Sequence, residues 1–227
     1  MKSIKKTGRL AGLLYFIVVI TGIFALLYVP SKIIVWDNPT TTYSNLLVHE
    51  SLFRLGIVVS LVCYLFFLFV PLALYRLFAP VNKTMATLMV ALAVSGVPIA
   101  FLNMANYYEI VSLIGNPEYL EIFGKTQIQN QILLKLNSHS NGYLIAQVFW
   151  GLWLFPLGYL IFKSGLIPKV LGVFLMIGSI MYFLDFVLKT MLPNYNDLTI
   201  SSYILIPASI GEIGTCLWLL IMGARDR

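Results

Sequence analysis

The chain of 227 residues is 59% hydrophobic and only 11% charged, with a mean hydropathy of +0.89, which excludes a soluble domain carrying the usual quarter of charged residues. Its net charge of +6 is no nucleic-acid signal, because the basic residues stand in short clusters between apolar runs and not along one polar face. The reading is an integral membrane protein whose expected partners are membrane lipids, with no nucleic acid.

A hydrocarbon core about 30 Å thick needs roughly 20 apolar residues per helix. Runs of that length lie at about 10–29, 52–78, 84–114, 142–163, 169–192 and 201–222. They predict an all-α fold, a six-transmembrane-helix bundle forming a single integral membrane domain over residues 1–227. The first run follows K-S-I-K-K-T-G-R, Lys2 to Arg9, which looks like the start of a signal peptide, but the run is too long for one and no A-x-A site follows. It is expected to stay as an uncleaved anchor. The second run opens on H-E-S-L-F-R-L-G, His49 to Gly56, where Glu50 and Arg54 stand one helical turn apart and can pair. His49 reads as an interfacial side chain in water.

The connection A-P-V-N-K-T, Ala79 to Thr84, is tight, so helices two and three should be antiparallel neighbours. Helix three carries Asn103, Asn106 and Glu109. After it, N-P-E-Y-L-E-I-F-G from Asn116 to Gly124 offers an Asn cap, a Pro at the first helical position and acids in the first turn. Ile128, Ile132 and Leu136 then recur every fourth residue among Gln and Asn, the pattern of an amphipathic helix that lies on the outer interface or extends helix four. On helix four, His139, Tyr143, Gln147 and Trp150 fall on one stripe. A second tight connection, S-G-L-I-P-K from Ser164 to Lys169, leads to helix five with Asp185 and Lys189, one turn apart and suited to a self-satisfied pair. Helix six carries the stripe Ser209, Glu212 and Cys216. Cys63 and Cys216 both lie inside apolar runs and form no C-x-x-C, so they read as small buried hydrophobes. Small residues recur about twelve after Arg9 and Lys83, at Thr21-Gly22 and Ser95-Gly96, and soon after Lys169 at Gly178-Ser179. Three related helical hairpins would explain this spacing, as would the preference of helices in lipid for small contact residues.

Orientation follows from charge. With the N-terminus cytoplasmic, the inner segments hold Lys2, Lys5, Lys6, Arg9, Arg76, Lys83, Lys163, Lys169, Arg225 and Arg227, ten of the fifteen basic residues, while Asp226 is the one inner acid of nine. Both termini are therefore expected inside. In that orientation the intramembrane polar residues lie near the midplane or in the outer half. A charge there costs at least ~2.5 kcal/mol, so the asymmetry predicts a polar pocket open to the outer face. Its candidate residues are Arg54, Glu212, Glu50, Asn103, Asn106, Glu109, His139, Tyr143 and Gln147. Glu212 has no basic residue within a turn, and Arg54 is its expected partner across helices. Were Arg54 satisfied by Glu50 alone, Glu212 would be protonated. Asn103 and Asn106 also read as interhelical glue worth ~0.6 kcal/mol each.

Five stretches carry a resemblance: K-K-T-G-R-L-A-G-L-L-Y at Lys5–Tyr15, E-S-L-F-R-L-G at Glu50–Gly56, F-K-S-G-L-I-P-K-V-L-G at Phe162–Gly172, L-P-N-Y at Leu192–Tyr195 and G-E-I-G-T-C-L-W-L-L at Gly211–Leu220. In this order they resemble the bacterial multi-pass membrane family known as domain of unknown function 4386. The resemblance implies a bacterial cell membrane protein and brings no activity, substrate or site residues.

Three classes of function fit. The first is a binder or carrier of a small amphiphile or lipid, with Arg54 meeting an anionic group and Glu212 titrating. The second is a structural or regulatory partner of another membrane protein. The third is a membrane-embedded enzyme with Glu212 or His139 as acid/base, which the sequence discourages: it has no H-E-x-x-H, no G-x-S-x-G, no phosphate loop and no carboxylate set with metal spacing. His49 and His139 lack the mid-span stacking of haem ligands. No cofactor, metal or catalytic residue is expected.

Overall fold

The computed structural model describes residues 4–225. In chain order its helices are α1 Ile4–Ile33, α2 Pro39–Val48, α3 Glu50–Phe78, α4 Lys83–Gly115, α5 Pro117–Phe123, α6 Lys125–Ser164, α7 Lys169–Met191 and α8 Thr199–Ile221. A 3-10 turn, Tyr195–Asp197, precedes α8. All but α2 and α5 are long and apolar enough to cross a membrane, six in all, and no strand occurs among the described residues. Lys2, Asp226 and Arg227, which entered the charge argument, lie outside the described residues.

Two helices differ from their apolar runs for a physical reason. Helix α6 begins at Lys125 and not near residue 142, because its Gln/Asn-rich first half buries a single apolar stripe: Ile128, Ile132 and Leu136 are all at most 1% exposed. This stretch thus extends the fourth spanning helix. Helix α1 runs on to Ile33 through a π-helical turn at Ile23–Tyr28, a wide turn with one extra residue in the hydrogen-bonded ring. Helix α2 falls outside the apolar runs altogether. Its start carries the same signal as α5, an asparagine whose side chain accepts a backbone N–H of the first turn, followed by proline: Asn38 Oδ1 from Thr41 N at 2.9 Å, and Asn116 Oδ1 from Glu118 N at 3.0 Å.

Contacts divide the chain into two compact units. The first takes the stretch up to Val19, Leu65–Pro98 and everything from Leu144. Its core is apolar and aromatic. The Phe67 ring meets Trp153 edge-on at 5.4 Å, with Tyr15 tilted against the same indole at 6.2 Å. Backbones come close where residues are small: a Cβ on Gly12 would stand 2.3 Å from the Leu220 amide nitrogen, and one on Gly158 2.4 Å from the Gly172 carbonyl oxygen. The α6–α7 hairpin turns on Gly165, whose φ of 69° is left-handed. Ser164 closes the turn, accepting from Leu166 N at 3.2 Å and donating to the Ile161 carbonyl at 3.1 Å.

The second unit comprises Ile20–Tyr64 and Ile99–Tyr143. Here α2 is tied to the end of α1 by side chains. Thr42 Oγ1 both accepts from and donates to the Val35 backbone, at 2.9 Å each, and Asn45 Nδ2 donates to the Ile33 carbonyl at 3.1 Å. These bonds satisfy backbone groups that the end of α1 leaves open. Thr40 donates to Gln129 Oε1 at 3.2 Å, linking α2 to α6.

Close packing of α6 on α7 is testable at Gly158. Gly158→Val should cost about 1–3 kcal/mol, read as a lower unfolding midpoint in detergent. An unchanged midpoint would mean that these backbones do not approach as described.

Candidate functional site

The second unit builds a pocket from its polar clamp upward. On α4, Asn103 reaches across to α6 and donates from Nδ2 to the His139 carbonyl at 2.8 Å. Asn106 donates in turn to the Asn103 carbonyl at 3.1 Å and to its Oδ1 at 3.0 Å, orienting the amide. Only glycine fits beneath this amide, because a Cβ on Gly142 would stand 2.1 Å from Asn103 Oδ1. With α4 and α6 held this close, the next turn of α4 places the Tyr107 ring flat against the His139 imidazole, centroids 3.7 Å apart and planes 17° apart. Phe53 of α3 packs tilted against Tyr107, with ring centroids 5.0 Å apart.

Beside this stack opens a pocket of about 230 Å³. Its walls are Leu26, Leu27 and Pro30 of α1, Ile34 and Trp36 of the turn after it, Tyr107 of α4, and Leu136, His139, Ser140 and Tyr143 of α6. No charged side chain lines it. His139 is buried at 6% exposure, and its Nε2 has no hydrogen-bond partner among the described residues, a state that ordinarily costs about 1–3 kcal/mol.

Two carboxyl side chains in spanning helices of the first unit have contrasting surroundings. Asp185 is fully buried and fully met. Lys189 Nζ donates to its Oδ2 at 2.8 Å, Gln147 Nε2 to the same oxygen at 3.4 Å, and the Tyr195 hydroxyl to its Oδ1 at 3.1 Å. Glu212 has a single hydrogen-bond partner among the described residues: the Tyr15 hydroxyl donates to its Oε1 at 2.9 Å. Among the described residues, no three His, Cys, Asp or Glu side chains gather as a metal-binding group.

Of the residues singled out from the sequence, His139 and Tyr143 line the pocket, while Asn103 and Asn106 support it as interhelical bonds. Arg54, Glu50 and Glu109 do not line it. Arg54 pairs with Glu50 at 2.7 Å in exposed positions, and Glu109 pairs with Lys135. Gln147 belongs to the Asp185 cluster and Glu212 to Tyr15, so Arg54 and Glu212 each find a partner in their own unit. Sequence reasoning missed Tyr107, Trp36, Ser140 and Tyr195. Tyr107 was within reach, since it follows Asn103 by one turn, and Tyr195 stands in the L-P-N-Y stretch.

Fold and site together define a class: an all-helical, multi-pass membrane protein with an apolar, uncharged pocket in its second unit. The chain belongs to the family described as Domain of unknown function (DUF4386), which matches residues 10–223. It is also similar to an uncharacterized protein of Archaeoglobus fulgidus, 35% identical over 81 residues, or 36% of this chain. That stretch covers 46% of the relative, so the chain spans under half the length of the protein it matches. No solved structure matches the chain.

Tyr195, in the connection between α7 and α8, supplies a pH dependence. Burial, then its hydrogen bond to Asp185 and that carboxylate's charge, holds the phenol above its ordinary range. A group that binds its proton more tightly when folded stabilises below its unfolded pKa, about 10 for tyrosine, and loses that contribution as pH rises further. The stability gap between wild type and Tyr195→Phe should thus be constant near neutrality and shrink above about pH 10, as measured by denaturant midpoints. A gap that widens with pH would contradict it.

Proposed function

We propose that the chain is a binder of a small neutral amphiphile, and that its pocket takes a ring-sized molecule carrying one hydroxyl group. The observation that carries this reading is that His139, whose buried Nε2 has no partner among the described residues, lines a pocket with no charged wall. An apolar cavity of about 150 Å³ holds benzene, so about 230 Å³ has room for a ring with a short substituent. The imidazole asks for one hydrogen-bonding group, and a hydroxyl serves either tautomer because it both donates and accepts. Arg54 is engaged by Glu50 and absent from the walls, which supports a neutral ligand over an anionic one. The wall residues stand at the end of α1 and beside the α4–α6 connection. With both termini on the cytoplasmic side, as the ten-to-five distribution of basic residues supports, the pocket is reached from outside the cytoplasmic membrane.

Two measurements test this. In lipid nanodiscs, titration calorimetry against empty discs should give 4-ethylphenol about tenfold tighter binding than ethylbenzene, the worth of one hydrogen bond. His139→Phe keeps a ring on Tyr107 and should erase the preference, whereas Leu27→Trp should weaken both ligands by filling the pocket. A preference that survives His139→Phe would end the reading. For orientation, a thiol introduced into the α5 region, at Glu121, should react with a membrane-impermeant maleimide in intact cells. Labelling only after the membrane is breached would reverse the topology.

A further inference from the structure

An ionised carboxylate in a low-dielectric interior is stable only where a cation and further donors meet it. Asp185 has that company in Lys189, Gln147 and Tyr195. Glu212 does not. It lies within the apolar stretch S-I-G-E-I-G-T-C-L of α8, and no Lys, Arg or His described in the first unit stands within ion-pair distance of it. The titratable groups facing the pair are neutral ones: the Tyr15 phenol of α1, with Tyr182 of α7 and Cys216 of α8 in electrostatic range of that phenol. The Cys216 thiol is itself turned to the Gly12 carbonyl at 3.8 Å.

A second observation concerns unused hydrogen-bonding capacity. Thr215, one turn along α8 from Glu212 and on the same side, is fully buried, and its Oγ1 has no partner among the described residues; Trp153, packed on Tyr15, is fully buried, and its Nε1 has none among them either. Polar groups left open in a core are an anomaly that calls for an occupant or a second state. A carboxyl that changes protonation would use them, since its anionic form needs donors that its neutral form does not.

From this we infer that Glu212 is a membrane-embedded proton-binding site, which carries its proton in the resting protein and releases it reversibly. Tyr15 positions the carboxyl, and its O–H is the first donor to the anion. Glu212 keeps partial exposure within a membrane-spanning helix, so a lipid-soluble reagent can reach it. The inference does not rest on the pocket reading and survives its failure.

The test is labelling of the full chain in lipid nanodiscs with dicyclohexylcarbodiimide, which adds to carboxyls that hold a proton. The carboxyl proton moves to one carbodiimide nitrogen, the oxygen bonds to the central carbon, and the O-acylisourea rearranges to a stable N-acylurea, a net addition with no leaving group. Mass spectrometry of peptides then locates the adduct. Glu212 should be labelled and Asp185 not, with a rate that falls about tenfold per pH unit once past the titration point and recovers when pH is lowered again. Tyr15→Phe removes a donor to the anion and should move that fall to higher pH, a shift that a merely structural hydrogen bond would not produce. Glu212→Gln should lose the adduct while the unfolding midpoint remains measurable. Labelling of Asp185 instead, a rate indifferent to pH, or no adduct at Glu212 in folded wild-type protein would each overturn the inference, and none of these needs the variants to fold.

Discussion

Hydrocarbon offers no hydrogen bonds, so every polar side chain carried into a spanning helix must be met by another part of the protein or remain at a cost of several kcal/mol. The internal order of each unit follows from this demand. In the first unit Asp185 gathers Gln147 from α6, Lys189 from its own helix and Tyr195 from the turn beyond it, fixing three segments around one carboxylate. In the second unit the Asn103 amide does the same for α4 and α6. Such bonds are individually modest in membranes, about 0.6 kcal/mol on average. Their effect here is directional. The amide sets which faces of α4 and α6 meet, and the stacking of Tyr107 on His139 one turn further is its geometric consequence.

Apolar matter supplies the bulk of the packing and polar matter its register. Lipid is as greasy as leucine, so helices gain little by burying leucine against leucine and more by close backbone approach. That accounts for the glycines at the contacts of α1 with α8 and of α6 with α7. It also explains how a pocket survives in the second unit. The π turn at Ile23–Tyr28 and Pro30 sit at the end of α1, and the hydrogen bonds of α2 to Ile33 and Val35 hold the following turn, with Trp36, in place. The wall is thus pinned at its base by α2.

The six spans were legible because each is a run of lipid-compatible residues as long as the bilayer is thick, a signal that needs no knowledge of neighbours. The tight turns at Ala79–Thr84 and Ser164–Lys169 were legible for the same reason, from Asn, Gly and Pro at fixed positions. Helix α2 carries in D-N-P-T-T the same Asn-Pro start as α5, but its ten polar-rich residues fall short of a membrane-length run. The first half of α6 was read by its Ile128, Ile132 and Leu136 stripe, yet whether that stripe meets lipid headgroups or protein depends on what stands opposite. Pairing between helices is the limit. Glu212 was matched to Arg54 on the ground that both are costly, although charge alone cannot say that a tyrosine on α1 reaches the carboxylate first. The shared helical face of His139 and Tyr143 is visible in the sequence, whereas the aromatic partner of His139 belongs to another helix.

Subtracting the groups that are already matched isolates the chemistry that remains. The pairs Glu50–Arg54, Glu109–Lys135 and Asp185–Lys189 join opposite charges, each within one unit, and leave no net charge to bind or to move. The asparagines of α4 spend their donors on backbone and on each other. Among the groups that persist in the described spanning segments are an imidazole nitrogen without a partner and a carboxyl without a cation. Both violate the rule that organises everything around them. A fold that satisfies Asp185 three times over is able to satisfy these groups as well, and their incompleteness is what the ligand proposed at His139 and the proton proposed at Glu212 would complete.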